Sequence, residues 1–153
     1  ILSRQFHGKG FRLLLMDEDR NSLKILSRKL DRQKQGESPE LYECRHEASW
    51  DSDVIWLSIT EDMVPEVVER MRDVSTRKVV IAASDEESAS ALYEAVRKGL
   101  PYSRVVSACI SREGDSRRIH LWGEDPGAMK TVEQLSRKAG FDTKVAASSG
   151  HGS

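Results

Sequence analysis

The residues best suited to chemistry are three consecutive acids and a base, Asp17-Glu18-Asp19-Arg20, directly after the apolar run Phe11–Met16. A carboxylate at the end of a strand in an open α/β sheet can accept hydrogen bonds from both hydroxyls of an adenosine ribose, and it repels a 2′-phosphate. Asp17 has the position for this, and Glu18 reinforces the repulsion. Arg20 works the other way, since an arginine a few residues on can accept that phosphate. The same stretch also fits a solvated turn leading to a helix capped by Asp19, Asn21 or Ser22. A second group, Ser58-Ile59-Thr60, follows the apolar residues Ile55-Trp56-Leu57 and could lie with its backbone against a nicotinamide or a pyrophosphate. It equally fits a strand end followed by a cap at Thr60, with Glu61 on the helix dipole. Ser84, after Val79–Ala83, is a third strand-end residue and a cap for the helix that Asp85, Glu86 and Glu87 begin.

Other side chains are less promising. His7, His46, His120 and His151 fall in four different elements, so their spacing argues against a metal site. No histidine–carboxylate pair has the spacing of a catalytic triad. Cys44 and Cys109 are far apart and match no metal or disulfide framework, which points to a reducing cytoplasm. Cys109 reads as a small buried hydrophobe, Trp56 and Trp122 as core. Arg112, Arg117 and Arg118 flank a turn and read as a solvated edge.

These candidates need elements to hold them. Phe11–Met16 reads as a buried strand, and Leu23, Leu26 and Leu30 recur at helical spacing after it. Residues 31–40 read as a loop and Leu41–His46 as a short strand. Val54–Ile59 is a second apolar strand. Val64, Val67, Val68 and Met71 then mark one helix face, with Pro65 in its first turn. Val79–Ala83 is followed by a helix bearing Ala89, Leu92, Tyr93 and Val96, stopped by Gly99 and Pro101. Arg104–Ile110 and Ile119–Trp122 are strands about a turn containing Gly114. Pro126 opens a last helix, with Ala128, Val132, Leu135 and Ala139 on one side and Gly140 as its stop. Lys144–Ala147 closes as a short strand, and 148–153 is a loose polar tail. Alternating helices and apolar strands predict an α/β domain over 1–147 with a mostly parallel sheet and helices on both faces.

Composition agrees with a solvated globular chain. Of 153 residues, 32% are charged and 38% apolar, and the net charge of −1 gives no general grip on nucleic acid or an anionic membrane. No apolar run approaches the roughly 20 residues of a membrane span, and Ile1-Leu2-Ser3-Arg4 does not open a signal peptide.

Asp53–Thr60, Arg77–Ile81, Leu100–Val106, Leu121-Trp-Gly-Glu-Asp-Pro-Gly-Ala128 and Ala139–Asp142 follow one another in an order that resembles the NAD(P)-binding Rossmann domain of the deazaflavin-dependent NADP oxidoreductases. Related domains occur in pyrroline-carboxylate reductases and membrane metalloreductases. The resemblance implies hydride transfer to or from a small electron acceptor or donor, with NAD or NADP as cofactor. It places Asp17 at the ribose, with Glu18 and Arg20 beside it. Ser58, Ile59 and Thr60 fall beside the nicotinamide, and Ser84 at the next strand end. Asp17 and Glu18 favour NAD.

It also implies that 1–10 match the helix after the dinucleotide loop, so the first strand and its G-x-G-x-x-G turn would lie before Ile1. Those glycines let the backbone reach the pyrophosphate, and strong binding is not expected without them. In the order 3-2-1-4-5-6 the first strand is central. Without it, two buried edges would face a gap of about 10 Å. Unsatisfied backbone groups there would cost about 1–3 kcal/mol each. The expectation is therefore an upstream segment, a strand supplied by another chain through homodimerisation or strand exchange, or a different fold register. The alternatives are a degenerate Rossmann regulatory module, or a receiver-like module. Phe11–Lys24 resembles the opening of a response-regulator receiver domain, but Ser58 stands where that family's phosphoacceptor aspartate would.

Overall fold

The computed structural model describes residues 2–32 and 38–146. The expected tail at 148–153 lies outside the described residues, as do 33–37 of the expected loop at 31–40; of the rest, Asp31 and Arg32 end a helix and Glu40 begins a strand. The chain divides into two compact units, Ile1–Ser52 and Asp53–Ser153.

The first unit runs α1 (Leu2–Phe6), β1 (Leu14–Met16), α2 (Arg20–Arg32), β2 (Glu40–Tyr42) and α3 (Arg45–Asp51). The strands pair in parallel, with Leu15 opposite Leu41. Such pairing requires a crossover, here α2. Leu23 and Leu30 of α2 are buried at helical spacing. Gly8 and Gly10 take φ of 73° and 83°, in the turn that follows α1. Phe6 and Phe11 meet edge to face across it, 5.4 Å apart. Arg12 pairs with Glu40, and the Tyr42 hydroxyl donates to Asp51 Oδ2 at 2.7 Å, fastening α3 to β2.

Two expectations need correction here. The apolar run before Asp17 is half-buried throughout Leu14–Met16, not buried. In this two-stranded sheet each strand pairs on one side only. The stretch 41–46 is not all strand: β2 ends at Tyr42 and a helix starts at Arg45.

The second unit runs β3 (Val54–Leu57), a 3-10 turn over Glu61–Met63, α4 (Val64–Met71), β4 (Val79–Ser84), α5 (Ala89–Gly99), β5 (Arg104–Glu113), β6 (Ser116–Trp122), α6 (Pro126–Lys138) and β7 (Asp142–Val145). Its five-stranded sheet has the order β3-β4-β5-β6-β7. All neighbouring pairs are parallel except β5 and β6. Those two form a hairpin over Gly114-Asp115, with Gly114 at φ 60° supplying the left-handed position. A receiver fold is an all-parallel five-stranded sheet of order 2-1-3-4-5. The antiparallel β6 and the order of 54–145 therefore do not favour that alternative.

Ile55, Leu57, Val80, Ala82 and Val105 share one sheet face. They pack with Val64, Val67, Val68 and Met71 of α4 and Leu92, Tyr93 and Val96 of α5 in one core. Both predicted helix faces are thus buried. Val106, Ala108, Ile119 and Leu121, which alternate to the other face, are fully buried as well. α6 packs on β5, β6 and β7, burying Ala128, Met129 and Val132. The interior strand β4 is buried from Val79 to Ala83, whereas edge strand β3 alternates half-buried and buried.

The turn into β4 carries backbone strain. Arg77 has φ 65°, and its N–H donates to Tyr102 O at 2.8 Å. A side chain in that conformation costs about 1–2 kcal/mol, partly offset in a glycine variant by unfolded-chain entropy. Arg77→Gly is expected to raise stability by about 0.5–1 kcal/mol, and Arg77→Ala to give no such gain. Thermal denaturation of the two variants checks this.

Candidate functional site

In α/β sheets, ligands gather outside the carboxyl ends of parallel strands. Each unit has such an edge.

In the first unit, Asp17, Glu18, Asp19 and Arg20 are all exposed at the end of β1. Asp17 Oδ1 accepts from the Asp19 N–H at 2.9 Å, forming a tight turn. Asp19 is the helix cap. Its Oδ1 accepts from the N–H groups of Asn21 and Ser22, and its Oδ2 from the Ser22 hydroxyl at 2.7 Å. These bonds hold the Asp19 carboxyl below the ordinary aspartate range, the Ser22 hydroxyl contributing most. One acid of the three is thus committed to structure. Asp17 has a carboxylate oxygen beyond its turn bond, as a ribose acceptor requires.

Glu18 does not stand alone. Arg45 Nη1, on the first residue of α3, lies 2.8 Å from Glu18 Oε1. Arg20 Nη2 lies 3.7 Å from Glu43 Oε2. The ends of β1 and β2 are therefore cross-linked by two ion pairs. Arg45 is the residue that sequence reasoning missed, because its segment reads as strand. The signal available was Glu47-Ala48, helix formers two residues beyond it.

In the second unit, Ser58–Thr60 and Ser84 occupy the ends of neighbouring parallel strands β3 and β4, where Leu57 is opposite Ala82. Ser58 Oγ accepts from the Trp56 indole N–H at 3.1 Å, leaving its own O–H to donate elsewhere. Ile59 is half-buried against the core. Thr60 stands at the cap position of the 3-10 turn, but its side chain makes no cap bond, unlike the capping alternative. Ser84 does not cap a helix either. Its hydroxyl donates to Asp85 O at 3.0 Å, and Asp85 Oδ1 accepts from the Ser88 N–H just ahead of α5. The helix begins at Ala89, later than expected, and Asp85 closes the turn that precedes it.

Cys109 is opposite both Ser84 on β4 and His120 on β6. Burial pushes its thiol up, and Glu86 and Asp85 push it further. A thiol held protonated is a weaker nucleophile than a thiolate. Among the described residues no group of three or more His, Cys, Asp or Glu is placed to hold a metal ion, and no helix is long and apolar enough to cross a membrane.

Leu121–Ala128, one of the two longest pieces of the resemblance, has a structural account. Trp122 tilts on Tyr93 with ring centroids 4.2 Å apart. A Cβ on Gly123 would come within 3.0 Å of Val105 O. Asp125 caps α6 by accepting from Ala128 N–H at 2.7 Å and pairs with both Nε and Nη2 of Arg104. A Cβ on Gly127 would lie 2.5 Å from Arg104 Nη2. The motif fixes how β6 enters α6.

This cap gives the unit an acid sensitivity. Arg104, and then the Ala128 N–H, hold the Asp125 carboxyl below the ordinary aspartate range. A depressed carboxyl contributes stability that is full above its unfolded value, about 4, and is lost as pH falls through its folded value. Asp125→Asn keeps a cap acceptor but no charge. It is expected to be less stable than the parent at pH 7, with the difference closing as pH falls toward about 2. Urea unfolding across that range measures it.

No protein-family model matches the chain, and no curated protein sequence matches it. Solved structures do. A pyrroline-5-carboxylate reductase from Coxiella burnetii matches at 15% identity and TM-score 0.66, covering 88% of this chain and 48% of that one. A putative F420-dependent NADP-reductase from Arthrobacter sp. FB24 matches at 12% and 0.68, covering 94% and 79%. An imine reductase from Myxococcus stipitatus, solved with NAD+, matches at 15% and 0.69, covering 96% and 50%. The chain spans about half the length of the first and third of these. At these identities the likeness is one of fold, and it bears out the expected Rossmann-type α/β architecture.

Proposed function

We propose that this chain is the NAD(P)-binding domain of an oxidoreductase that transfers hydride, with NAD as the preferred cofactor. The single observation that carries the reading is Asp17. It is an exposed carboxylate at the end of β1, in a fold of the kind found in solved reductases, one of them holding NAD+. Glu18 and Arg20 flank the ribose. Ser58, Ile59, Thr60 and Ser84 serve the nicotinamide end through backbone groups and the Ser58 hydroxyl. The cofactor itself carries the hydride. The chain's own work is to bind and orient it. A small-molecule electron acceptor or donor and a homodimeric or strand-exchanged assembly belong to the same reading, as does a cytoplasmic setting.

Calorimetric titration of the full-length chain with NAD and with NADP tests this. Binding of NAD with weaker binding of NADP is expected. Absence of heat with both nucleotides would overturn the cofactor assignment and leave the degenerate, non-catalytic module as the better reading.

A further inference from the structure

The sheet of the second unit ends on β7, and the charges along that strand fit one partner. Among the described residues β7 pairs with a strand on one side only, that of β6. α6 packs on it, and of its four residues only Thr143 is buried. An edge strand offers a row of backbone donors and acceptors to a second chain, and proteins blunt such edges with proline, bulges or unmatched charge. β7 has no proline, and its lysine, Lys144, follows an acid, Asp142, two residues before it. The two alternate with Thr143 and so share one face of the sheet. Asp142 Oδ2 accepts from Arg118 Nε at 2.8 Å, which fixes the carboxylate on that face. A carboxylate has a second oxygen with which to take a further donor.

Opposite charges facing each other across a ladder are favourable, and like charges are not. Two copies of β7 paired in parallel and in register would set Asp142 on Asp142 and Lys144 on Lys144. Paired antiparallel about Asp142 or about Lys144, they would set one like-charged pair face to face. Paired antiparallel about Thr143, they set Asp142 of each copy opposite Lys144 of the other. The same register puts Val145, which is 41% exposed, opposite Phe141 of the other copy. We propose that the β7 edge is an interface with a second copy of this chain, the two strands joining antiparallel about a two-fold axis at Thr143. The pattern is self-complementary, as a two-fold contact must be. A ladder this short makes a small interface, so the association is weak and concentration-dependent. The proposal stands apart from the cofactor reading, because β7 carries none of the residues assigned to the dinucleotide.

Sedimentation equilibrium of the full-length chain over a wide concentration range tests it. The parent is expected to show a monomer–dimer equilibrium. Lys144→Glu makes both charges of the strand acidic, and Asp142→Lys makes both basic. Each variant alone is expected to self-associate about tenfold more weakly than the parent, or weaker still. An equal mixture of the two should associate about as well as the parent, because every acid again faces a lysine. Asp142→Lys also gives up the Arg118 pair, so thermal melts accompany the measurement. If that variant is unstable, Asp142→Asn takes its place in the mixture and should restore association in part. A parent that stays monomeric throughout, or a dimer that Lys144→Glu leaves intact, overturns the proposal. A mixture that associates no better than either variant alone overturns it as well.

Discussion

Tyr93→Ala is expected to cost the second unit about 3–5 kcal/mol, the range for deleting a buried aromatic ring. Tyr93 is 2% exposed and belongs to the core that α4 and α5 form on β3, β4 and β5. Its ring meets Trp122 at 4.2 Å. Its hydroxyl bonds the Glu124 backbone, and burial pushes the phenol up. One side chain thus ties α5 to the turn that launches α6. Removing it opens a cavity, leaves Trp122 without its ring contact and loosens the Trp122–Asp125 segment. Against a net stability of about 5–15 kcal/mol for an ordinary domain, the loss is large. Tyr93→Phe keeps the ring and should lose only about 1 kcal/mol, for the hydroxyl. Urea denaturation of the two variants separates the ring from the hydroxyl. A cost near 1 kcal/mol for both would show that the ring is not the anchor described here.

Asp17→Asn is expected to weaken NAD binding by about 10- to 100-fold, since hydrogen bonds to a charged group contribute about 1.5–3 kcal/mol. The substitution is chosen because the Asp17 turn would survive it: an asparagine oxygen still accepts from the Asp19 N–H. What disappears is the second carboxylate oxygen and the charge, the two properties assigned to the ribose. Stability should therefore stay near that of the parent while affinity falls. The substitution should also reduce discrimination against NADP, because it removes one of the charges that repel a 2′-phosphate. Titration with both nucleotides, alongside a thermal melt, tests all three expectations. Equal loss of stability and affinity would mean that Asp17 serves the turn alone.

Much of this was legible in the residues. Val64, Val67, Val68 and Met71, and then Ala89, Leu92, Tyr93 and Val96, put four apolar side chains on one helical face each, and all are buried. Where large apolar residues do not mark the face, the pattern fails. α3 buries only Ser49 among its residues, so Arg45–Asp51 carried no periodicity to find. β5 and β6 continue through Ser111–Glu113 and Ser116–Arg118, beyond the apolar runs that announced them. Backbone pairing and the Gly114 turn extend a hairpin without regard to polarity, and Arg118 fastens it by pairing with Glu113 and Asp142.

At the candidate site the position of Asp17 followed from one apolar run and the acids after it. The pairing of Glu18 with Arg45 did not, because α2 and β2 lie between them in the chain. The two carboxylates next to Asp17 could not be told apart by type or spacing. Asp19 turns inward to cap α2, whereas Glu18 reaches across to α3. That division of labour depends on where the crossover brings the chain back.

Backbone amide NMR of the full-length chain during titration with NAD tests the proposed cofactor site most directly. Saturable shifts are predicted in the Asp17–Ser22 amides at the end of β1, and in Ser58–Thr60 and Ser84 at the ends of β3 and β4. Shifts confined to other residues, or none at saturating NAD, would contradict the assignment of these strand ends as a dinucleotide site.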